Sequence, residues 1–475
     1  MHVYFIVPAL FPTAGGMTKA IYDKANYLSE QHDVTILATD FRLRHHQNHT
    51  VLLESGKLKE SVQVRYIFDE LESNGACAIN NSLKTEAEIV TRLNRGRTQF
   101  LGGRARFFGE DGVYHSHASF DGEQLHFVDY MRRDDQYSVL ERHGYSRGRP
   151  SSIEIYAAGK NEPSQRILFD AQRKPTINYW FKEGKLDRVF DLREPTPVQT
   201  NHLNVVRSWV ERVIEPGSTV IVDSNFKFVS EVLKRLTCQT VCFIHSHQDF
   251  CSDTAYLKQN DPFDKYVFLT RKQRDCFREL NRSLYDRSVV IPHPVNLQEL
   301  EGTRKNRIVT VSRLVANKPV LPAIEAFKSV KEQYPGLQYE IYGNGDQAGE
   351  IQKAINSMGL EGSVFLKGYT MQPGELFGSS IMSIALTDYE GYGLAILESL
   401  ARGCPVITSD VDYGPREMIE DGVNGFLVRD NSVESIENAM SQILKKQEAF
   451  SRNAVESVAS NARSEWKSRL DKVIG

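Results

Sequence analysis

Two glutamates eight positions apart, in the run Glu390-Gly-Tyr-Gly-Leu-Ala-Ile-Leu-Glu398, mark the segment of this chain best equipped for chemistry. Gly391 and Gly393 let backbone amides come close to a ligand. The helix predicted to start near Leu394 presents unpaired N–H groups and a positive dipole end, a setting suited to phosphate. Glu390, in the loop, can accept hydrogen bonds from sugar hydroxyls, and Glu398, inside the helix, is placed for a ribose diol. Taken alone, the segment is equally a glycine-bearing loop with two solvated glutamates. Arg313 and Lys318 alter that balance. Both follow the run Arg307–Val311, where the carboxyl ends of parallel strands open onto a ligand crevice, and two fixed cations there would neutralise a diphosphate. Either cation by itself is an ordinary surface side chain.

Other reactive residue types carry weaker signals. Cys238, Cys242, His245 and His247 cluster along the chain, but they lack the paired-ligand spacing of a zinc site, so no metal is expected there. His115-Ser-His117 reads as a surface or hydrogen-bonded pair. Asn344 and Asp346, flanking Gly345, read as turn formers. Arg95, Arg97, Arg104 and Arg106 form an acid-free basic cluster around Phe100. It can meet a polyanion, although such charge runs are ordinarily solvated loops.

The elements that must position these residues form two strand-helix series. Residues 2–9 are an apolar strand run, followed by Gly15-Gly16, a helical pattern from Met17 to Leu28, and a second strand in HDVTILATD. This order opens a doubly wound α/β domain. From about residue 46 short β-rich runs take over, Val62–Phe68, Ser152–Ala157, Arg166–Asp170 and Ile177–Phe181 among them, predicting an antiparallel insertion over 46–200. The α/β texture resumes with Ser218–Asp223, Thr240–Ile244, Lys265–Leu269 and Ser288–Ile291. After Pro292-His293-Pro294, a linker signal, a second series runs from Arg307–Val311 through Met382–Ala385 to Gly425–Val428. The expected division is an amino-terminal domain of 1–45 and 201–295, the insertion, a second domain of 300–455, and a carboxy-terminal helix over 456–475 that packs back on the first domain.

A chain of 475 residues exceeds what one core usually serves, in keeping with two or three domains. With 40% hydrophobic and 25% charged residues it has an ordinary globular composition, and a net charge of -3 gives no global attraction to nucleic acid or anionic membrane. The amino-terminal apolar run is shorter than the roughly 20 residues that span a bilayer, and it lacks a basic leader. The six cysteines form no CxxC pair, which fits a reducing cytoplasm.

Four segments in order, Val311-Ser-Arg-Leu-Val-Ala-Asn-Lys318, Tyr342-Gly-Asn-Gly-Asp346, Glu390 to Glu398, and Tyr413 to Val428, resemble the donor half of family 4 retaining GT-B glycosyltransferases. The resemblance implies an α/β fold of two Rossmann-like domains facing a cleft. Within that family, the Gly-Gly-Met-Thr opening and the β-rich insertion in the first domain resemble the cytoplasmic wall teichoic acid α-glycosyltransferases, which act on poly(ribitol-phosphate) or poly(glycerol-phosphate).

Carried over by position, Arg313 and Lys318 would hold a nucleotide diphosphate, Glu390 the donor sugar, and Glu398 the ribose. Gly16 would approach the leaving phosphate, and Gly391, Gly393 and Leu394 would line the donor loop. His245 would be the active-site histidine, with His247 the alternative. The implied reaction moves glucose or N-acetylglucosamine from a UDP-sugar to a polyol-phosphate polymer with retention and without a metal cofactor. A protein or lipid acceptor, or a non-catalytic partner role, are the other readings. Arg104 and Arg106 would meet the polyanionic acceptor. A homo-oligomer, a trimer among the options, formed through the insertion, and proximity to the inner membrane face are implied by resemblance alone.

Overall fold

The computed structural model describes the chain apart from residues 13–15, 42–44, 72–90, 123, 136–137, 147–148, 171–173, 194, 224–225, 246–262, 298–303 and 371. It divides into two compact units, Met1–Gln239 and Thr240–Gly475.

In the first unit, β1 (His2–Val7) and β2 (Asp33–Ala38) are joined by α1 (Gly16–Leu28). Both strands are buried over five consecutive residues, as parallel strands covered on both faces must be. Ala20, Ile21, Ala25 and Leu28 of α1 are buried at helical spacing. Next come α2 (His45–Glu54), β3 (Val62–Tyr66) and α3 (Ile67–Leu71). Val62–Phe68 was expected among antiparallel strands. Instead β3 pairs parallel with β2, Val34 opposite Val62, and Ile67 and Phe68 begin α3. The physical reason is that a short β-branched run favours a pleated, half-buried setting without specifying the direction of its partner.

The antiparallel sheet runs from residue 97 to residue 200: β4 (Arg97–Phe100), β5 (Arg104–Phe108), β6 (Tyr114–Asp121), β7 (Gln124–Met131), β8 (Val139–Ser146), β9 (Arg149–Tyr156), β10 (Pro163–Phe169), β11 (Pro175–Lys182), β12 (Lys185–Asp191) and β13 (Val198–Thr200). Each strand neighbours its successor in a ten-stranded meander. Along β5 exposure alternates, with Arg104 and Arg106 out and Ala105 and Phe107 in, the latter two joining a core with Ala118, Leu125 and Val128.

A row of directly opposed residues crosses six of these strands: Arg106, His117, Asp129, Arg142, Glu154 and Arg166. From His117 to Arg166 its charges form close pairs. Arg142 donates to both oxygens of Asp129 at 2.7 and 3.0 Å, His117 lies 3.3 Å from Asp129, and Arg166 donates to Glu154 at 2.8 Å. Burial pushes the Asp129 carboxyl up, but the hydrogen bonds from His117 and Arg142 more than offset it and hold the group below its ordinary value. β14 (Thr219–Val222) completes the parallel order β14-β1-β2-β3 in this unit. Just beyond it, Asp223 pairs with Lys24 of α1 at 2.6 Å, both side chains buried.

The second unit holds the parallel strands β15 (Gln239–Ile244), β16 (Lys265–Phe268) and β17 (Ser288–Val290). It also holds a six-stranded sheet made of β18 (Arg307–Val311), β19 (Gln338–Tyr342), β20 (Val364–Gly368), β21 (Met382–Ala385), β22 (Val406–Ser409) and β23 (Gly425–Val428). This sheet is parallel throughout, in the order β20-β19-β18-β21-β22-β23.

The helix Leu321–Gln333 buries Ala323, Ile324, Ala326, Phe327 and Val330, and the helix Val433–Lys445 buries Ile436, Ala439, Met440 and Ile443. Both sets enter one core with Ile308 and Ile384 of the sheet, where each fully buried large apolar side chain contributes roughly 1.5–3 kcal/mol. The chain builds outward from β18 to β20 and then crosses back to β21. The strand order therefore reverses between β18 and β21.

Candidate active site

A reversal of strand order leaves the loops after the two adjoining strands splayed apart, and ligands of open α/β sheets bind in that crevice. The two loops here are the ones that carry the candidate residues. Arg313 and Lys318 follow β18, and Glu390, Gly391 and Gly393 follow β21. Backbone hydrogen bonding joins the loops, the Asp388 amide donating to the Asn317 carbonyl at 3.1 Å. Side chains complete the link, for Lys318 Nζ donates to Glu390 Oε2 at 2.6 Å with side-chain exposures of 16% and 27%. The pair is thus half-sheltered and still open to a ligand. Arg313 is exposed and has no ion-pair partner among the described residues.

Two glycines set the cation loop. A Cβ on Gly343 would lie 1.8 Å from the Ser312 carbonyl oxygen, and one on Gly345 would lie 1.9 Å from that of Leu314. This close approach lets the Leu314 amide donate to the Asn344 carbonyl at 3.0 Å and the Gln347 amide to the Leu314 carbonyl at 3.0 Å. Asn344 and Asp346 therefore sit in a turn, and the glycines beside them are what admit the loop bearing Arg313 and Lys318.

On the other side, the Tyr413 amide donates to the Glu390 carbonyl at 2.8 Å, fixing Glu390 from behind. Gly393, at φ 95°, takes the left-handed conformation that turns the chain into the helix Leu394–Leu400. The amides of that helix's first turn have no intrahelical acceptors. Leu394 and Glu398 are half-buried on this helix, and Gly391 is buried.

His245 follows β15 and stacks on His293, ring centroids 5.4 Å apart. His293 in turn meets the ring of Tyr392 edge-on at 5.0 Å. Asn461 locks this column, donating to the Tyr392 hydroxyl at 2.5 Å and to the His293 carbonyl at 3.2 Å. Burial pushes the Tyr392 hydroxyl well above its ordinary pKa, so it stays protonated. The column connects His245 with the loop that carries Glu390. Sequence reasoning missed His293, Tyr392 and Asn461 as members of the site. Tyr392 had a local signal inside the Glu-Gly-Tyr-Gly run, whereas Asn461 had none.

The remaining candidates lie elsewhere or outside the described residues. Gly16 is exposed as the first residue of α1, in the first unit. Arg104 and Arg106 are exposed on β5, also in the first unit, and with Leu101, Tyr114 and His117 they line a concavity of about 270 Å³. Neither arginine has an ion-pair partner among the described residues. His247 and Gly15 fall outside the described residues. Among the described residues, Cys238 and Cys242 form no metal-holding group with His245.

Residues 297–464 match the family model described as glycosyl transferases group 1. This segment is a group 1 glycosyltransferase domain. The glycosyltransferase domain contains β18 through β23, and with them Arg313, Lys318, Glu390 and Glu398.

Over 481 residues the chain is 25% identical to the poly(glycerol-phosphate) alpha-glucosyltransferase of Bacillus subtilis (strain 168), covering 94% of this chain and 70% of that one. It is 23% identical over 464 residues to the poly(ribitol-phosphate) alpha-N-acetylglucosaminyltransferase of Staphylococcus aureus (strain COL), covering 93% and 92%. Its fold matches that of a point mutant of S. aureus TarM in complex with Fondaparinux, alpha-GlcNAc-glycerol and UDP. The TM-score is 0.80 at 19% identity, over 100% of this chain and 99% of that one. The fold is GT-B, with Rossmann-like parallel sheets and a large antiparallel sheet inserted among them.

Proposed function

We propose that this glycosyltransferase moves glucose or N-acetylglucosamine from a UDP-sugar to hydroxyls of a polyol-phosphate polymer, with retention at the anomeric carbon. The observation that carries this reading is the Lys318–Glu390 pair, 2.6 Å across the strand-order reversal, with Arg313, which has no ion-pair partner among the described residues, on the same loop as Lys318. A UDP-sugar offers each residue its complement. The diphosphate meets Lys318 and Arg313, a sugar hydroxyl donates to Glu390, and the ribose lies toward Glu398.

When the bond between C1 and the diphosphate oxygen breaks, negative charge builds on the β-phosphate, and fixed cations stabilise it without reorganising. The acceptor hydroxyl attacks C1 from the side the phosphate leaves, and its proton passes to that phosphate, which leaves as UDP. Glu390 is already engaged by Lys318 and serves to hold the sugar, so no carboxylate nucleophile is invoked. The His245–His293–Tyr392 column holds the histidine against the donor loop. The cations do the work a divalent metal would do, so the reaction runs without one.

The names of the B. subtilis and S. aureus relatives, and the glycerol glycoside and UDP in the TarM complex, support a polyol-phosphate acceptor. Arg104 and Arg106, two exposed cations that line one concavity with His117, suit its phosphodiesters. The inserted sheet is also where a homo-oligomer would form. Among the described residues no helix is long and apolar enough to cross a membrane; a polymer growing at the inner membrane face would be met there by a peripheral enzyme.

Release of UDP from UDP-glucose and UDP-N-acetylglucosamine, measured with ribitol-phosphate polymer, glycerol-phosphate polymer, a serine-rich peptide or no acceptor, tests this reading. Stimulation by a polyol-phosphate polymer is expected. Stimulation by the peptide alone, or no UDP release under any condition, would overturn it.

A further inference from the structure

Three side chains in the first unit, apart from every residue used above, converge on one point. His45 and His46 open α2, and Asp69 lies in α3. The Nε2 atom of His45 is 3.0 Å from Asp69 Oδ1, and that of His46 is 3.1 Å from Asp69 Oδ2. The donor atoms of all three residues lie within 4.8 Å of one another. Tyr66, at the end of β3, holds the two rings in place. Its ring packs against theirs at 4.4 and 5.5 Å, and its hydroxyl donates to the His45 carbonyl at 3.2 Å.

Charge balance makes this more than a hydrogen-bonded triad. Side-chain exposures of His45 and Asp69 are only 9% and 22%, so the carboxylate has lost much of its hydration. Among the described residues no Lys or Arg pairs with Asp69, and its carboxylate meets the two imidazoles. A sheltered carboxylate is stabilised by a cation at the same spot.

We propose that His45, His46 and Asp69 bind one divalent transition-metal ion of the zinc class. Two imidazole nitrogens and one carboxylate oxygen are a donor set that suits zinc, at metal–ligand distances of about 2.0–2.2 Å. Ligands spaced tetrahedrally at that distance stand roughly 3.4 Å apart, close to the separations of Asp69 from either histidine. Water would complete the coordination. The ion would staple α2 to α3 across β3, bracing the parallel strands just ahead of β4 and the antiparallel sheet. Its role is structural and separate from glycosyl transfer.

The test uses the full chain, stripped with chelator and titrated calorimetrically with Zn²⁺ alone, and with Co²⁺ followed by its visible absorption. One equivalent should bind, with a Co²⁺ band typical of low coordination number. His46→Ala and the isosteric Asp69→Asn should each weaken binding by about 100-fold or more. Circular dichroism identifies any variant that has lost its fold, and Asp69→Asn, which changes charge and not shape, keeps the test decisive if His46→Ala misfolds. Failure of the stripped chain to bind a stoichiometric ion, or equal binding by the parent and Asp69→Asn, would overturn the proposal.

Discussion

Replacing Lys318 with alanine separates electrostatic work from structural work at the donor site. Its ammonium lies 2.6 Å from Glu390 and is 16% exposed, sheltered enough to act through an effective dielectric well below that of water. Unit charges 4 Å apart at an effective dielectric of about 20 interact by about 4 kcal/mol, an upper guide to what one cation offers a diphosphate. Mutational loss of one preorganised stabiliser of developing charge costs about 2.7–4 kcal/mol, or 10²–10³-fold in turnover.

Lys318→Ala also frees the Glu390 carboxylate to repel the diphosphate, so the loss should lie toward the upper end of that range. Because the pair is partly exposed, its contribution to folding is only about 0–1 kcal/mol. UDP release by Lys318→Ala should therefore fall by about 10²–10³-fold while the urea midpoint barely moves. The double variant Lys318→Ala/Glu390→Gln should lose less than the product of the single losses, since the two residues share one contact. A folded Lys318→Ala enzyme retaining more than about a tenth of parent turnover would refute the electrostatic role.

Charge reversal at both Arg104 and Arg106, exposed and without ion-pair partners among the described residues, should raise the KM for polyol-phosphate polymer at least about tenfold, a loss of about 1.4 kcal/mol. UDP release in the absence of acceptor should not change, and an unaltered acceptor KM would remove these arginines from acceptor binding. Asp129→Asn should destabilise the inserted sheet by about 3 kcal/mol at pH 7, read from urea unfolding, because Arg142 loses its carboxylate partner. The folded Asp129 carboxyl is held below its unfolded value, so its contribution is complete above about pH 4 and fades as pH falls through the folded value. The gap between parent and variant should accordingly narrow in acid, and a gap that is constant with pH would contradict the pairing.

What was legible in the sequence was what short-range pattern encodes. Arg307–Val311 and Met382–Ala385 are strands as expected, since unbroken β-rich runs bounded by turn residues fix both ends. That made the loops bearing Arg313, Lys318 and Glu390 readable. The pairing of Lys318 with Glu390, 72 positions apart, depends on β18 and β21 being neighbours, which strand order decides.

Gly343 and Gly345 could be read as a turn but not as the surface against which Ser312 and Leu314 lie, because the contact is set by two strands lying side by side. The row from Arg106 to Arg166 exists only through six strands in register, so Arg106 read as part of a basic cluster and His117 as half of a histidine pair, and neither showed the partners across the sheet. Val62–Tyr66 shows the same limit in another form, a strand whose composition was clear and whose partner was not.

We propose that the residues gathered between β18 and β21 transfer a sugar from a UDP-sugar to a polyol-phosphate hydroxyl with retention. Mass spectrometry of ribitol-phosphate and glycerol-phosphate oligomers, after incubation with each UDP-sugar, tests it most directly, with NMR of the purified product giving the anomer. Addition of one hexose or N-acetylhexosamine in α linkage is expected, and its loss in Glu390→Ala. A β-linked product, or unmodified oligomers with every UDP-sugar, would contradict it.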